Sequence, residues 1–313
     1  MSESAVMDPP APFDTDAFLH RERERVNATL AVVAPGLAEG APDDLGAPVA
    51  YALATPGKRL RPILCVAAWR MVRPAHPPDA VYRLACALEI VHTYSLVHDD
   101  LPCMDDDALR RGRPTVHVVY GERAALLAGA ALIPAAVRVL DGAARDLGID
   151  AAGRGRLVAE LCQAGGARGM VGGQWLDLLG EEPGARVDAD GLERIHRLKT
   201  GALLAASLRI GALAAGADAR RVEGLTAYGR ELGLAFQIVD DVLDVTRTDA
   251  ELGKTAGKDA GAGKATYPSL FGLARAEEMA RERTARAVGA LHEAGIASAE
   301  LEALAAYVLE RGR

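Results

Sequence analysis

The chain has 313 residues, half of them apolar, and 36 Lys and Arg against 43 Asp and Glu leave a formal charge of −7. That balance excludes a global basic field for nucleic acid or an anionic membrane surface, so any anion site must be local. Aromatic residues supply only 4%, whereas Ala, Leu, Arg and Glu recur with few β-branched runs, a composition that predicts an all-α chain.

In chain order, residues 1–13 are rich in proline (Pro9, Pro10, Pro12) and read as a disordered tail without the basic start and apolar run of a secretion signal. Asp14-Thr15-Asp16 offers a cap for a first helix running toward Val33. Further helical patterns fall roughly at 61–72, 79–100, 121–141, 151–169, 190–213, 220–247, 268–293 and 297–311, separated by Gly, Pro or Asp. No linker or solenoid repeat divides residues 14–313, so they are expected to form one bundle-like domain. Segments 125–140 and 201–216 are apolar around most of their circumference, which predicts burial inside the bundle. No apolar stretch is expected to reach the ~20 residues that a bilayer crossing needs. The scattered Cys65, Cys86, Cys103 and Cys162 suit neither a zinc site nor a disulfide scaffold; they read as reduced thiols of a cytoplasmic protein.

Chemistry enters at the end of the 79–100 segment, in His98-Asp99-Asp100-Leu101-Pro102-Cys103-Met104-Asp105-Asp106-Asp107. Pro102 cannot continue a helical ladder and disfavours helix at Leu101, so the helix is expected to unwind there and return Asp105 toward Asp99. A second cluster, Asp240-Asp241-Val242-Leu243-Asp244, places Asp240 and Asp244 one turn apart on one helix face. Either cluster alone could be a solvated acidic helix end. Two of them, each continuing an apolar helix, point to cation binding, and all-oxygen donors select Mg²⁺ or Ca²⁺ over zinc. The spacing of a helix-loop-helix calcium site is absent from both.

Basic residues follow each cluster: Arg110, Arg111 and Arg113 the first, Lys254, Lys258 and Lys264 the second. They could be salt-bridge partners. Carboxylates that hold Mg²⁺ beside Arg and Lys also describe a phosphate site, which is the reading favoured here. A third group, Gly57-Lys58-Arg59-Leu60-Arg61-Pro62, opens a helix whose N-terminal amides favour an anion; Lys58 and Arg61 can share a face, and Arg59 could be solvated. His92 lies two turns before Asp99 on roughly the same face, and a lone helix histidine is more often a satisfied core residue than a ligand.

These residues carry a resemblance to short-chain bacterial trans-prenyl diphosphate synthases over nearly the whole chain. The matching motifs are the Gly57–Pro62 group, Asp99 to Thr115, Lys199-Thr200, Phe236-Gln237, Asp240 to Asp244, Gly253-Lys254 and Lys264-Ala265-Thr266-Tyr267-Pro268. The resemblance implies an all-α bundle of the isoprenoid synthase type with a central active-site cavity, a homodimer, and about three Mg²⁺ ions acting on bound diphosphates. By the same resemblance Lys58, Arg61, His92 and Arg111 bind isopentenyl diphosphate. Arg110, Lys199, Lys254 and Lys264 bind the allylic diphosphate, and Asp99, Asp105 and Asp240 are the principal metal ligands, with Asp244, Asp100 and Asp241 in support.

The implied reaction is ionisation of the allylic diphosphate followed by attack of the isopentenyl alkene, with the Thr200 hydroxyl and the Gln237 amide oxygen facing the carbocation. Tyr94, five residues before Asp99, resembles the bulky residue of farnesyl diphosphate synthases that ends the chain pocket; it could also be simple core packing. A geranylgeranyl diphosphate synthase is the neighbouring possibility. A class I terpene cyclase or a non-catalytic synthase subunit is expected to lack one of the two Asp-rich motifs that this chain keeps.

Overall fold

Asp14 accepts a hydrogen bond from the Ala17 amide (2.9 Å) and starts the first helix, α1 (Thr15–Ala38), five residues longer than expected. The computed structural model describes residues 13–182, 184–247 and 264–311. After α1 come α2 (Asp43–Leu53), α3 (Leu60–Val72) and α4 (Asp79–Asp99). A two-stranded hairpin follows, β1 (Leu109–Arg110) antiparallel to β2 (Arg113–Pro114), turned by Arg111 and Gly112, both at positive φ. The chain continues through α5 (Val116–Tyr120), α6 (Glu122–Asp146), α7 (Ala151–Gly165), α8 (Met170–Gly180) and α9 (Ala189–His196). A π-helical turn at Arg197–Gly201 leads into α10 (Ala202–Ala215) and α11 (Ala219–Thr246). Beyond residue 264 lie α12 (Tyr267–Phe271), α13 (Leu273–Glu293) and α14 (Ala299–Glu310).

Helices α3 and α10 are shared by two apolar cores. One face of the pair packs with α1, α2, α4, α6 and α7, the other with α11, α13 and α14. A third cluster joins α9, α11, α12 and α13. The two shared helices cross at backbone contact: a Cβ on Gly211 would lie 2.0 Å from the Cys65 carbonyl oxygen, so no other residue fits there without separating them. A polar knot ties the outer layer to this centre. Glu22 of α1, 1% exposed, accepts hydrogen bonds from the Tyr82 hydroxyl (2.7 Å) and Arg70 (2.9 Å), and Arg70 also donates to Glu300 of α14 (3.0 Å).

Three expectations need correction. The 125–140 segment is not buried all round: Leu126, Leu127 and Ile133 of α6 are exposed, and only 201–216 is an interior helix as read. Two helices, Glu122–Asp146 and the Ala189–Ala215 run through the π turn, are long and apolar enough by length and composition to cross a membrane, where none was expected. The apolar 18-residue stretch of Ala189–Ala215 is 67% buried inside the protein and that of Glu122–Asp146 33%. Helices α2 and α8 were not foreseen, because Pro48 inside α2 and Gly172-Gly173 inside α8 read as breaks.

The Gly211 contact yields a test. Gly211→Ala should force α3 and α10 apart and lower stability by about 1–3 kcal/mol, read as a shift in the urea unfolding midpoint; an unshifted midpoint would show that the helices can part freely.

Candidate active site

Helix α4 stops where the sequence indicated. After Asp99 the chain turns back, the Asp105 amide donating to the Asp99 carbonyl (2.8 Å) and the Asp107 amide to that of Asp100 (3.2 Å). Asp105 therefore returns to Asp99. Burial pushes the Asp99 carboxyl up to about 7; Lys199 opposes the shift, and nearby Asp105 and Asp100 add to it. Asp100 is 4% exposed and burial raises it to about 6 although Arg110 grips it through Nε (2.8 Å). Arg110 also reaches Asp107 (3.0 Å), so its guanidinium belongs to this cluster.

The π turn places Lys199 and Thr200. Lys199 Nζ lies 2.6 Å from Asp177 of α8. Lys264 meets the same carboxylate at 3.5 Å, Glu181 at 2.7 Å and Asp105 at 3.8 Å. Burial favours the protonated acid at Asp177, but Lys199 and Lys264 outweigh it and hold the carboxyl below its ordinary range. For Lys199 burial works against the charge, and Asp177, Asp99 and Asp105 more than restore it. The Thr200 hydroxyl donates to Gln237 Oε1 of α11 (2.8 Å). Asp177 and Glu181 were missed in the sequence; the signal was one carboxylate inside the apolar run Trp175-Leu176-Asp177-Leu178-Leu179.

On α11 the acidic residues divide by role. Asp241 and Asp244 are each 5% exposed, and Asp241 accepts the Tyr267 amide of α12 (3.0 Å). Asp240 is half-buried and accepts from Arg311 (2.8 Å), whose guanidinium lies 4.4 Å from the Phe236 ring centroid. Arg311 has no counterpart in the sequence reading. Among the described residues no three His, Cys, Asp or Glu side chains converge closely enough to cage a metal by themselves. Crowded carboxylates, two of them (Asp99 and Asp100) with raised proton affinity, and an all-oxygen donor set fit magnesium. That ion commonly takes one or two protein carboxylates and completes its shell with phosphate and water.

The basic group assembles beside both clusters. Arg111, at φ 54, lays its guanidinium on the 56–57 turn and donates to the Pro56 carbonyl (2.7 Å). Gly57 permits this, since a Cβ there would stand 2.3 Å from Arg111 Nη1. Burial and then Arg311 push the Lys58 ammonium down to about 8, with Asp240 opposing and Arg111 adding. Burial likewise lowers Arg61 to about 10, opposed by Glu89 and reinforced by Arg111. His92 sits well below its usual value through burial and the charges of Arg61 and Arg111, and its buried Nδ1 has no hydrogen-bond partner. Arg59 is not solvated as supposed: it is 6% exposed and paired with Glu89 (2.6 Å). Tyr94 is 5% exposed, its hydroxyl donating to the Gly165 carbonyl of α7 (2.8 Å) and its ring meeting His98 edge-on at 5.8 Å. Lys254 and Lys258 lie outside the described residues.

Known proteins are similar to this chain in sequence and in fold. Residues 42–304 match the family model described as polyprenyl synthetase. The chain is 46% identical over 263 residues to the farnesyl diphosphate synthase of Escherichia coli (strain K12), covering 82% of this chain and 86% of the relative. It is 44% identical over 310 residues to geranylgeranyl pyrophosphate synthase 11, chloroplastic, of Arabidopsis thaliana, covering 98% and 85%. In structure it is similar to a geranyltransferase from Helicobacter pylori solved with magnesium and isoprenyl diphosphate, with TM-score 0.79, 31% identity and coverage of 97% of this chain and 98% of the other. The match extends across both aspartate clusters and the basic residues around them, and the chain belongs to the polyprenyl synthetase family.

Proposed function

We propose that this prenyltransferase condenses isopentenyl diphosphate head to tail with dimethylallyl and geranyl diphosphates and releases mainly farnesyl diphosphate. One observation carries the reading. Burial first, and the Arg111 charge with it, lower the proton affinity of both Lys58 and Arg61, and burial with the charges of Arg61 and Arg111 keeps His92 uncharged; cations brought together at such cost support a site for a multiply charged anion. Asp99 and Asp105 at the end of α4 and Asp240 and Asp244 on α11 would supply the oxygen donors for magnesium, which would neutralise charge on a second diphosphate.

In this reading Lys58, Arg61, Arg111 and the N–H of neutral His92 hold isopentenyl diphosphate. Arg110, Lys199, Lys254 and Lys264 hold the allylic diphosphate, and Asp99, Asp105 and Asp240, backed by Asp244, hold magnesium. Magnesium, when bound with that substrate, offsets the negative charge that gathers on the departing diphosphate. The allylic C–O bond breaks and its electron pair leaves with the diphosphate, whose charge Lys199 and Lys264 would offset on turning from Asp177 and Glu181. The Thr200 hydroxyl spends its hydrogen on Gln237, so its lone pairs remain available to the carbocation. The π turn at Arg197–Gly201 widens the helix at the same place, a local irregularity of the kind often found at functional sites. The isopentenyl double bond then forms the new C–C bond, and the proton shed afterwards passes to the diphosphate, consistent with the lack of a dedicated general base in this reading.

Product length follows from Tyr94. Its almost fully buried ring and its hydroxyl anchored to α7 hold it rigidly on the helix that ends at Asp99, which supports reading it as the floor of the chain pocket and a fifteen-carbon product. The family resemblances include both farnesyl and geranylgeranyl synthases, so a twenty-carbon product is the competing reading. A homodimer is supported by exposed Val118, Val119 and Tyr120 of α5 beside Leu126, Leu127 and Ile133 of α6, an apolar surface suited to a second copy.

Asp99→Ala and Asp240→Ala should each lower kcat on the order of 10²–10³-fold with the far-ultraviolet circular dichroism unchanged; near-normal rates in either would remove the metal assignment. Products from dimethylallyl and isopentenyl diphosphates, read by mass with and without Mg²⁺, should be fifteen-carbon and metal-dependent, and Tyr94→Ala should lengthen them to twenty. An unchanged distribution in that variant would show that Tyr94 is not the floor. Leu126→Glu combined with Leu127→Glu should halve the mass measured by light scattering, and a dimer that persists would place the interface elsewhere.

A further inference from the structure

Arg59 has no place in the mechanism above, yet it is the most constrained cation in the basic group. Its backbone adopts the left-handed conformation (φ 54, ψ 30) that residues other than Gly resist. Its side chain is 6% exposed and every edge of the guanidinium is used. Nε donates to Asn27 Oδ1 of α1 (2.9 Å), Nη1 to Glu89 Oε1 of α4 (2.6 Å), and Nη2 to the Thr55 carbonyl just beyond α2 (2.8 Å). Glu89 is itself 2% exposed and stands three residues before His92 on the same helix.

We infer that Arg59 is a positioning residue for the isopentenyl diphosphate subsite: its buried fork pins the left-handed turn that sets Lys58 and Arg61 beside His92 and Arg111. The inference rests on the subsite reading given above. Lys58 precedes Arg59 directly and Arg61 follows it by two residues, in the first turn of α3, so the direction each takes depends on the backbone at 59. The same turn, at Pro56-Gly57, carries the Arg111 guanidinium. One guanidinium thus fixes α1, the end of α2, α3 and α4 relative to one another, and all four substrate-facing groups lie on or against the elements it joins. A surface salt bridge could not do this, whereas a planar donor fork with three separate acceptors can.

The test uses steady-state kinetics of the purified chain with geranyl and isopentenyl diphosphates and Mg²⁺. Arg59→Gly keeps the left-handed backbone easy but removes the fork. Because it strands Glu89 as a buried charge and could unfold the chain, the double variant Arg59→Met with Glu89→Gln is made alongside, replacing the pair without an uncompensated charge. The double variant should raise KM for isopentenyl diphosphate roughly 10- to 100-fold, the factor expected when one misdirected cation loses its charge-assisted hydrogen bond to the diphosphate, while kcat and KM for geranyl diphosphate stay within about twofold. Loss of the Glu89 charge alone would strengthen anion binding and cannot mimic this result. Lys58→Ala serves as the control for the subsite itself. If Lys58→Ala raises KM for isopentenyl diphosphate and the folded double variant does not, the positioning role is overturned. If both substrates' KM values and kcat move together in the double variant, Arg59 is a general structural residue and the inference also fails. If Lys58→Ala leaves that KM unchanged, the subsite reading itself falls.

Discussion

Asp99, Asp100, Asp105 and Asp107 occupy little more than two turns' length of chain at the end of a helix buried on nearly every side, and their mutual repulsion must be resisted by something rigid. Helix α4 resists it because its flanks are packed in the central core, and because Arg110, Lys199 and Lys264 stand against the carboxylates from three other parts of the chain. The compensation is incomplete. Asp99 and Asp100 retain a raised affinity for protons, which marks a place where added positive charge stabilises the fold. Here the packing that builds the core is also what holds the chemistry in a loaded state.

That division between apolar scaffold and charged ends explains which features were legible in the sequence. The return of Asp105 to Asp99 could be foreseen because it depends on a local event, the arrest of a helix at Pro102. The Asp14 cap and the convergence of Lys58, Arg61 and Arg111 likewise rest on short-range rules of helix starts and charge, with the family resemblance supplying their partner. Asp177 and Glu181 escaped notice because their meaning is entirely tertiary: they matter only once α8 lies against the π turn. Arg311 is hidden for the same reason, being 71 residues from Asp240.

Two misreadings share one physical cause. Judged from its own side chains alone, Arg59 could be solvated and segment 125–140 is expected to be buried. A guanidinium can be buried when three acceptors from different segments surround it, and an apolar helix face can stay exposed when none of the described elements packs over it. Neither condition is visible from local composition. The short α2 and α8 show a related limit, since Pro48 and the Gly172-Gly173 pair weaken a helix without forbidding it once both ends are packed.

Helix α4 carries Tyr94 and Asp99 on a single rod, and a helix advances by about 1.5 Å per residue, so the two stand roughly 7–8 Å apart along its axis. If the pocket floor is on this rod, its depth cannot be varied continuously. Moving a bulky side chain along α4 changes depth only at the positions that face the same groove, which recur about once per turn, or ~5.4 Å. The helix thus acts as a graduated scale, and evolution of a longer or shorter product on this scaffold would proceed by steps of helical pitch rather than by gradual reshaping of the wall.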